Sequence, residues 1–161
     1  MTSHWRLSIA VAACTVLLAS AQSPAASGDQ QAIGTVVTRF TNAWNQHDAH
    51  AFSLVFAETA DFTNVKGMGA SGRVSIEQFH AGPFQTFFKA SHLTASVKTV
   101  RFIKPDVAAV DVPWEMTGAT DPSGVPIPLR QGLANVVMTK QGESWSILVM
   151  HNMDLKAPSA K

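Results

Sequence analysis

The order of apolar and polar positions divides the chain into a helical first half and a stranded second half. From Gln30 to Asn45, the residues Ile33, Val36, Val37, Phe40 and Trp44 recur at spacings of three and four. Wound into a helix, that spacing makes one broad apolar stripe. Asn45-Gln46-His47 interrupts the stripe, and Asp48 is suited to cap a second short helix carrying Phe52, Val55 and Phe56. Asp61 to Val65 reads as a short strand running into a turn rich in glycine (Gly67, Gly69, Gly72). A third helix is expected from about Val74, with Ile76, Phe79, Phe84, Phe87 and Phe88 as its apolar side. Pro83 should kink or split it, because proline removes a helical donor.

After residue 90 the period changes to two. Four segments read as strands: Ser91–Lys104, Val107–Gly118, Pro128–Lys140 and Ser144–Leu155. The turns between them (Pro105-Asp106, Asp121-Pro122-Ser123-Gly124 and Gln141-Gly142) are hairpin signals in series, hence an antiparallel meander. In the second of these strands Val110, Val112, Trp114 and Met116 share one face, while Asp111, Glu115 and Thr117 share the other. Pro113 interrupts that scheme and predicts a bulge or an edge. The last strand is apolar on both faces (Trp145, Ile147 and Val149 against Leu148 and Met150), so it should be covered on both, by helices and by a partner subunit. Helices first and a curved antiparallel sheet second define an α+β domain with a cavity at the sheet's open end.

The first 28 residues follow neither pattern. His4 and Arg6 precede an apolar run from Leu7 to Leu18, and Ala19-Ser20-Ala21 is a small-x-small cleavage site. These are the three parts of an export signal, and the run is shorter than the roughly 20 residues a membrane span needs. The expected organisation is a signal peptide over 1–21, a linker over 22–28, one domain over 29–156 and a tail over 157–161. The mature protein would be periplasmic or secreted, with no membrane anchor.

Cleavage alters the chemistry available. The chain has 12 Lys and Arg against 11 Asp and Glu, and loss of Arg6 leaves 11 against 11. A neutral domain without a basic cluster is a poor holder of nucleic acid. Cys14, the only cysteine, leaves with the signal, so disulfides, a thiol nucleophile and cysteine-ligated metals are excluded from the mature domain. About 140 residues are long enough to bury one core. With 46% hydrophobic and 14% charged residues, the surface is thinly charged and suited to self-association.

Four stretches carry a resemblance: RFTNAWNQHDAHAF (39–52), FAETADFTNVKG (56–67), GRVSIEQFH (72–80) and WSILVMHNMDL (145–155). In these the chain resembles the SnoaL-like branch of the nuclear transport factor 2-like superfamily, and within it is most similar to the SgcJ/EcaC-type oxidoreductase group. The resemblance implies a cone-shaped barrel of cystatin-like fold, a pocket between the helices and the inner sheet face, and a homodimer formed through the outer face. It does not fix an activity, because such folds host many chemistries.

Candidate catalytic groups are Asp61, His80 and His151. Asp61 stands where the chain enters its first strand, as an acid/base partner for either histidine or as a turn cap. His80 lies on the third helix near Pro83, aimed at a pocket or at solvent. By simple alternation His151 shares a face with Trp145, Ile147 and Val149, and Asn152 one with Leu148 and Met150; His151 is then a general base or a satisfied histidine closing the sheet. Candidate ligand contacts are Trp44, Phe62, Asn64, Trp114 and Asn152. Arg73 holds an anion or pairs with Glu77, and Arg130 pairs with Glu115 across strands. His47 and His50 lack a third ligand at a sensible spacing, so no metal is expected. The chain has no tyrosine, which excludes a tyrosine-built oxyanion hole, and no GxGxxG, so no dinucleotide or other cofactor is expected. The leading expectation is an exported binder of a small, largely apolar molecule. An isomerase, hydrolase or SgcJ/EcaC-type oxidoreductase using Asp61 with a histidine is the second, and a non-catalytic dimeric scaffold the third.

Overall fold

The computed structural model describes residues 24–155. The expected signal peptide and the tail over 157–161 lie outside the described residues. The described chain is α+β. Helix α1 (Pro24–Asn45) and the short α2 (Ala49–Ser53) lead into β1 (Phe56–Thr63), β2 (Gly69–Ser71) and helix α3 (Arg73–Gln85). Then follow β3 (His92–Ala95), β4 (Thr99–Lys104), β5 (Val107–Thr117), β6 (Arg130–Gln141) and β7 (Ser144–Asp154).

Helix α1 reaches back over 24–28, where the sequence predicts a linker. Proline is tolerated in a first helical turn, and Asp29, within this helix, ties its first turns to the sheet. The Asp29 carboxylate accepts Trp145 Nε1 at 2.9 Å and pairs with Lys140 Nζ at 2.9 Å. At the other end, the amides of His47 and Asp48 bond back to Trp44 O and Ala43 O. With His47 in the left-handed region at φ 54°, this pair of bonds is a Schellman stop. Asp48 then caps α2, accepting the Ala51 amide at 2.9 Å. The apolar stripe of α1 falls where its spacing places it, with Ile33, Val36, Val37, Phe40 and Ala43 all buried.

The sheet runs β2-β1-β7-β6-β5-β3, with β4 also on β5, and its two edges do not meet. It is mixed rather than wholly antiparallel, because β7 returns beside β1 in parallel. Several boundaries differ from expectation. α2 ends at Ser53, so Val55 and Phe56, expected on it, lie beyond, as Phe87 and Phe88 lie beyond α3. β1 starts at Phe56 rather than Asp61, the segment 91–104 divides into β3 and β4, and α3 continues through Pro83 for two residues. The division explains Pro113. Its carbonyl accepts Ser96 N from the loop between β3 and β4, so its nitrogen faces the same break, where no ladder donor is needed.

The largest departure is a β-bulge in β7. Val137 pairs with Val149 but Met138 pairs with Ile147, so Leu148 is an extra residue. An inserted residue reverses the alternation beyond it. Trp145, Ile147 and Met150 are all buried, and Asn152 follows Met150 onto the inner face. His151 lies with Val149 and Met153 on the outer face. The expected grouping of His151 with Trp145 and Ile147 is therefore corrected.

Candidate functional site

The eight candidate residues separate into three places. Trp44, Phe62 and His80 come together on the helix side of the sheet. Trp114 and Asn152 form a second pair further along the inner face. Asp61, Asn64 and His151 belong to neither group.

His80 is the centre of the first cluster. It lies on α3 between Ile76 and Phe84, four residues from each, and all three are buried. The ring is 3% exposed. Five aromatic rings surround it: Phe52 at 4.3 Å between centroids, Phe62 at 4.8 Å, Phe79 at 5.3 Å, Phe84 at 5.7 Å and Trp44 at 6.3 Å. α1, α2, α3 and β1 each contribute a ring. His80 Nδ1 donates to Ile76 O at 2.8 Å, while Nε2 has no partner among the described residues. No sealed polar side-chain atom among the described residues lacks a partner, so Nε2 is not wholly cut off from solvent. Burial pushes the imidazole down to about 4, against a smaller upward pull from the Ile76 carbonyl. At neutral pH the ring carries no charge.

The second pair is a hydrogen bond, Trp114 Nε1 to Asn152 Oδ1 at 2.7 Å. The indole crosses Gly132, where any Cβ would run into it and into the Met153 carbonyl, so this position requires glycine. Arg130 stands 5.6 Å from the Trp114 ring centroid and pairs with Asp154 at 2.7 Å. Glu115, its expected partner, instead accepts Gln131 Nε2 at 2.6 Å.

Asp61 points outward from β1 and is exposed; Ser71 Oγ donates to it at 2.6 Å. It makes no hydrogen bond or ion pair with either histidine, so the expected dyad is not assembled. Asn64 caps the turn after β1, accepting the amides of Lys66 and Met68. Arg73 donates twice to Phe56 O, at 3.0 and 2.7 Å, which leaves Glu77 to pair with His50 at 3.0 Å. His47 bonds Ser91 O, so the two histidines flanking Asp48 diverge. No metal-sized group of ligands occurs among the described residues.

Space is unevenly distributed. The cavity between α1 and the central strands, lined by Val37, Phe40, Val112, Met138 and Met150 among others, is about 10 Å³, barely one water. A larger groove of about 360 Å³ opens at the rim near Thr94, Pro113, Glu115, Gln131 and Leu155. It is distant in sequence from the His80 cluster and shares no residue with it. Trp114, one of the candidate ligand contacts, also lines this groove, as does Gly132 beneath it, whereas the His80 rings are closely packed.

Sequence reasoning missed the closing rings Phe52, Phe79 and Phe84. The signal was present, because a histidine spaced by four from Ile76 and from Phe84 stands in the apolar stripe of its helix.

The fold is shared with proteins of known structure. A SnoaL-like domain model matches residues 37–145, and the chain belongs to that family. It is similar to a Nostoc punctiforme domain of unknown function with a cystatin-like fold, at 30% identity over 82% of this chain and 80% of that one, with a TM-score of 0.72. It is also similar in fold to a putative scytalone dehydratase from Novosphingobium aromaticivorans (15% identity, 82% and 87% covered, TM-score 0.71). LinA shares the fold as well (10% identity, 82% and 89% covered, TM-score 0.74). Among curated proteins none matches.

Proposed function

We propose that this SnoaL-like protein is exported and binds a small, largely apolar molecule against the aromatic rings around His80. The observation that carries the reading is the unpartnered Nε2 of a 3%-exposed histidine inside five rings. Nε2 has no protein partner among the described residues and is open to solvent, so a bound molecule would take the place of water there. Trp44 and Phe79 of the cluster, and Phe88 packed on Trp44, are only half-buried. Acid/base chemistry has less support, since Asp61 faces outward and no carboxylate is bonded to His80. Export rests on the three-part N-terminus. A homodimer through the outer face rests on Leu133, Val137 and Val149, which are apolar and half-covered there.

The second reading is a dimeric scaffold with a filled core, favoured by the 10 Å³ cavity behind α1. Native mass spectrometry of protein purified from its own host separates the two. A dimer carrying a small-molecule adduct, released on unfolding, is the outcome expected for a binder. A dimer without adduct, whose His80 resonances ignore every apolar probe, makes it a scaffold.

A further inference from the structure

We infer that a second copy of this chain docks on the outer sheet face about a two-fold axis running along β6, so that Arg101 meets the partner's Asp61 and Asp111 meets the partner's His151. This rests on the homodimer reading above and adds the direction of the axis and the charge pairs that select it.

The strand register aligns the outer side chains in rows that cross the sheet. One row runs Arg101, Ala109, Val137, Val149 and Asp61, from β4 through β5, β6 and β7 to β1. The next, two residues along, runs Thr99, Asp111, Asn135, His151 and Thr63. A third holds Pro113, Leu133 and Met153. The residues between these rows, such as Val110, Val136 and Met150, are buried on the other face, which turns the rows outward. Opposite charges lie at equal distances from β6. Arg101 and Asp61 stand two strands to either side of it, and Asp111 and His151 one strand to either side.

Two identical sheets that face each other are related by a two-fold lying in the plane between them. Rotation about an axis along β6 reverses the order across the strands and keeps the order along them, so each row meets its own reverse. Arg101 then faces the partner's Asp61, and Asp111 faces the partner's His151, whose imidazole N–H donates to a carboxylate. Ala109 meets the partner's Val149, Pro113 the partner's Met153, and Leu133 and Val137 their own copies. An axis laid across the strands at Asn135 instead sets Asp111 on the partner's Asp111. A diagonal axis turns the polar row onto the apolar positions of β6. The axis along β6 alone matches charge with counter-charge and apolar with apolar. It is also the aligned arrangement, with strands within about 30° of each other, that stacked sheets adopt.

The groups it requires are free to make these bonds. The side chains of Arg101 and His151 form no ion pair among the described residues. Asp61 and Asp111 each commit one carboxylate oxygen, to Ser71 Oγ at 2.6 Å and to Asn135 Nδ2 at 2.7 Å, and keep the other.

The test is charge exchange in the full mature chain, followed by analytical ultracentrifugation and native mass spectrometry at low ionic strength. In its own dimer Arg101→Glu sets carboxylate against carboxylate, and Asp61→Arg sets guanidinium against guanidinium. Each should weaken self-association by at least about tenfold, with an unchanged circular dichroism spectrum. Mixed in equal amounts, the two variants should recover association as a one-to-one heterodimer, because both of its cross-pairs again carry opposite signs. His151→Asp, set against the partner's Asp111, should weaken the dimer in the same way. Variants that self-associate as the native chain does, or a mixture that stays as dissociated as its parts, overturn the axis along β6. Leu133→Glu tests the face separately, since it should dissociate a dimer formed through this face about any of the three axes. A monomeric native chain, or a Leu133→Glu dimer as tight as the native one, overturns the homodimer reading itself.

Discussion

Two histidines expected to serve one pocket end on opposite sides of the sheet. His80 stands on a regular helix, and the four-residue spacing of Ile76, His80 and Phe84 carries it into the core. His151 stands on a strand whose alternation is reset by one inserted residue, Leu148, and it is turned out to solvent. Helical period is set by backbone hydrogen bonds and tolerates no such slip inside α3. Strand period of two holds only up to the first bulge. A site residue placed by helical spacing is therefore safer than one placed by counting along a long strand.

The most severe way to break this contrast is Met150→Lys. Uninterrupted alternation from Trp145 and Ile147 would turn Met150 outward, whereas the extra Leu148 sets it inward, where it is buried. Loss of cooperative thermal unfolding is expected, a penalty above about 4 kcal/mol, read by circular dichroism. A folded variant with unchanged stability would show that the bulge does not reset the alternation.

Acid should sharpen the contrast next. The folded state holds the His80 imidazole down to about 4, below its unfolded value of about 6.5. Between those values the unfolded chain binds the extra proton. Stability is thus complete above about pH 6.5 and lost as pH falls towards 4, by about 3 kcal/mol in all. The groups packed around the ring (Trp44, Phe52, Phe62, Phe79, Phe84 and the Ile76 carbonyl) carry no charge to offset this. Chemical denaturation from pH 7 to 4 should show the slope in the native chain and a flatter profile in His80→Phe. The Asp29 carboxylate, held below its usual range by Trp145 and Lys140, has its effect only at lower pH, where its stabilisation is lost as the carboxylate protonates.

Ser71→Ala removes the side-chain bond that the Asp61 carboxylate accepts on the exposed face. A loss of about 0.5–1 kcal/mol is expected, with no change in the His80 spectrum; a change there would reconnect Asp61 to the inner site. His151→Ala should be the mildest, within about 0.5 kcal/mol of the parent in urea denaturation. A loss as large as a core substitution would place His151 back among buried residues.

The fold was legible because its cues are local. The stripe of α1, the Asp48 cap and the hairpin turns each need only a few neighbouring residues, and each is where the pattern puts it. The parallel pairing of β1 with β7 was not legible, since no local pattern records which distant strand will lie alongside. Of the candidate site, Trp44, Phe62 and His80 were found together, and Trp114 and Asn152 were found bonded to each other. Asp61 failed because Phe56 to Ala60 already belong to β1, which sets it on an outward position of a longer strand. Arg73 and Arg130 failed because their true partners, the Phe56 carbonyl and Asp154, are separated from them by 17 and 24 residues.

The place of β7 between β1 and β6 bears on when the protein can fold. The last strand in chain order is an interior strand of the sheet, and Trp145 on it also holds Asp29 of α1 across 116 residues. A chain emerging from its N-terminus can form α3 and the hairpin of β5 and β6 early, from local contacts. It cannot join the two halves of the sheet, or seat the start of α1, until residues 144–154 have arrived. Such long-range closure is slow, and until it happens the strand edges of β1 and β6 stay open to other chains. Completion of this domain is therefore a late, single event governed by its final strand.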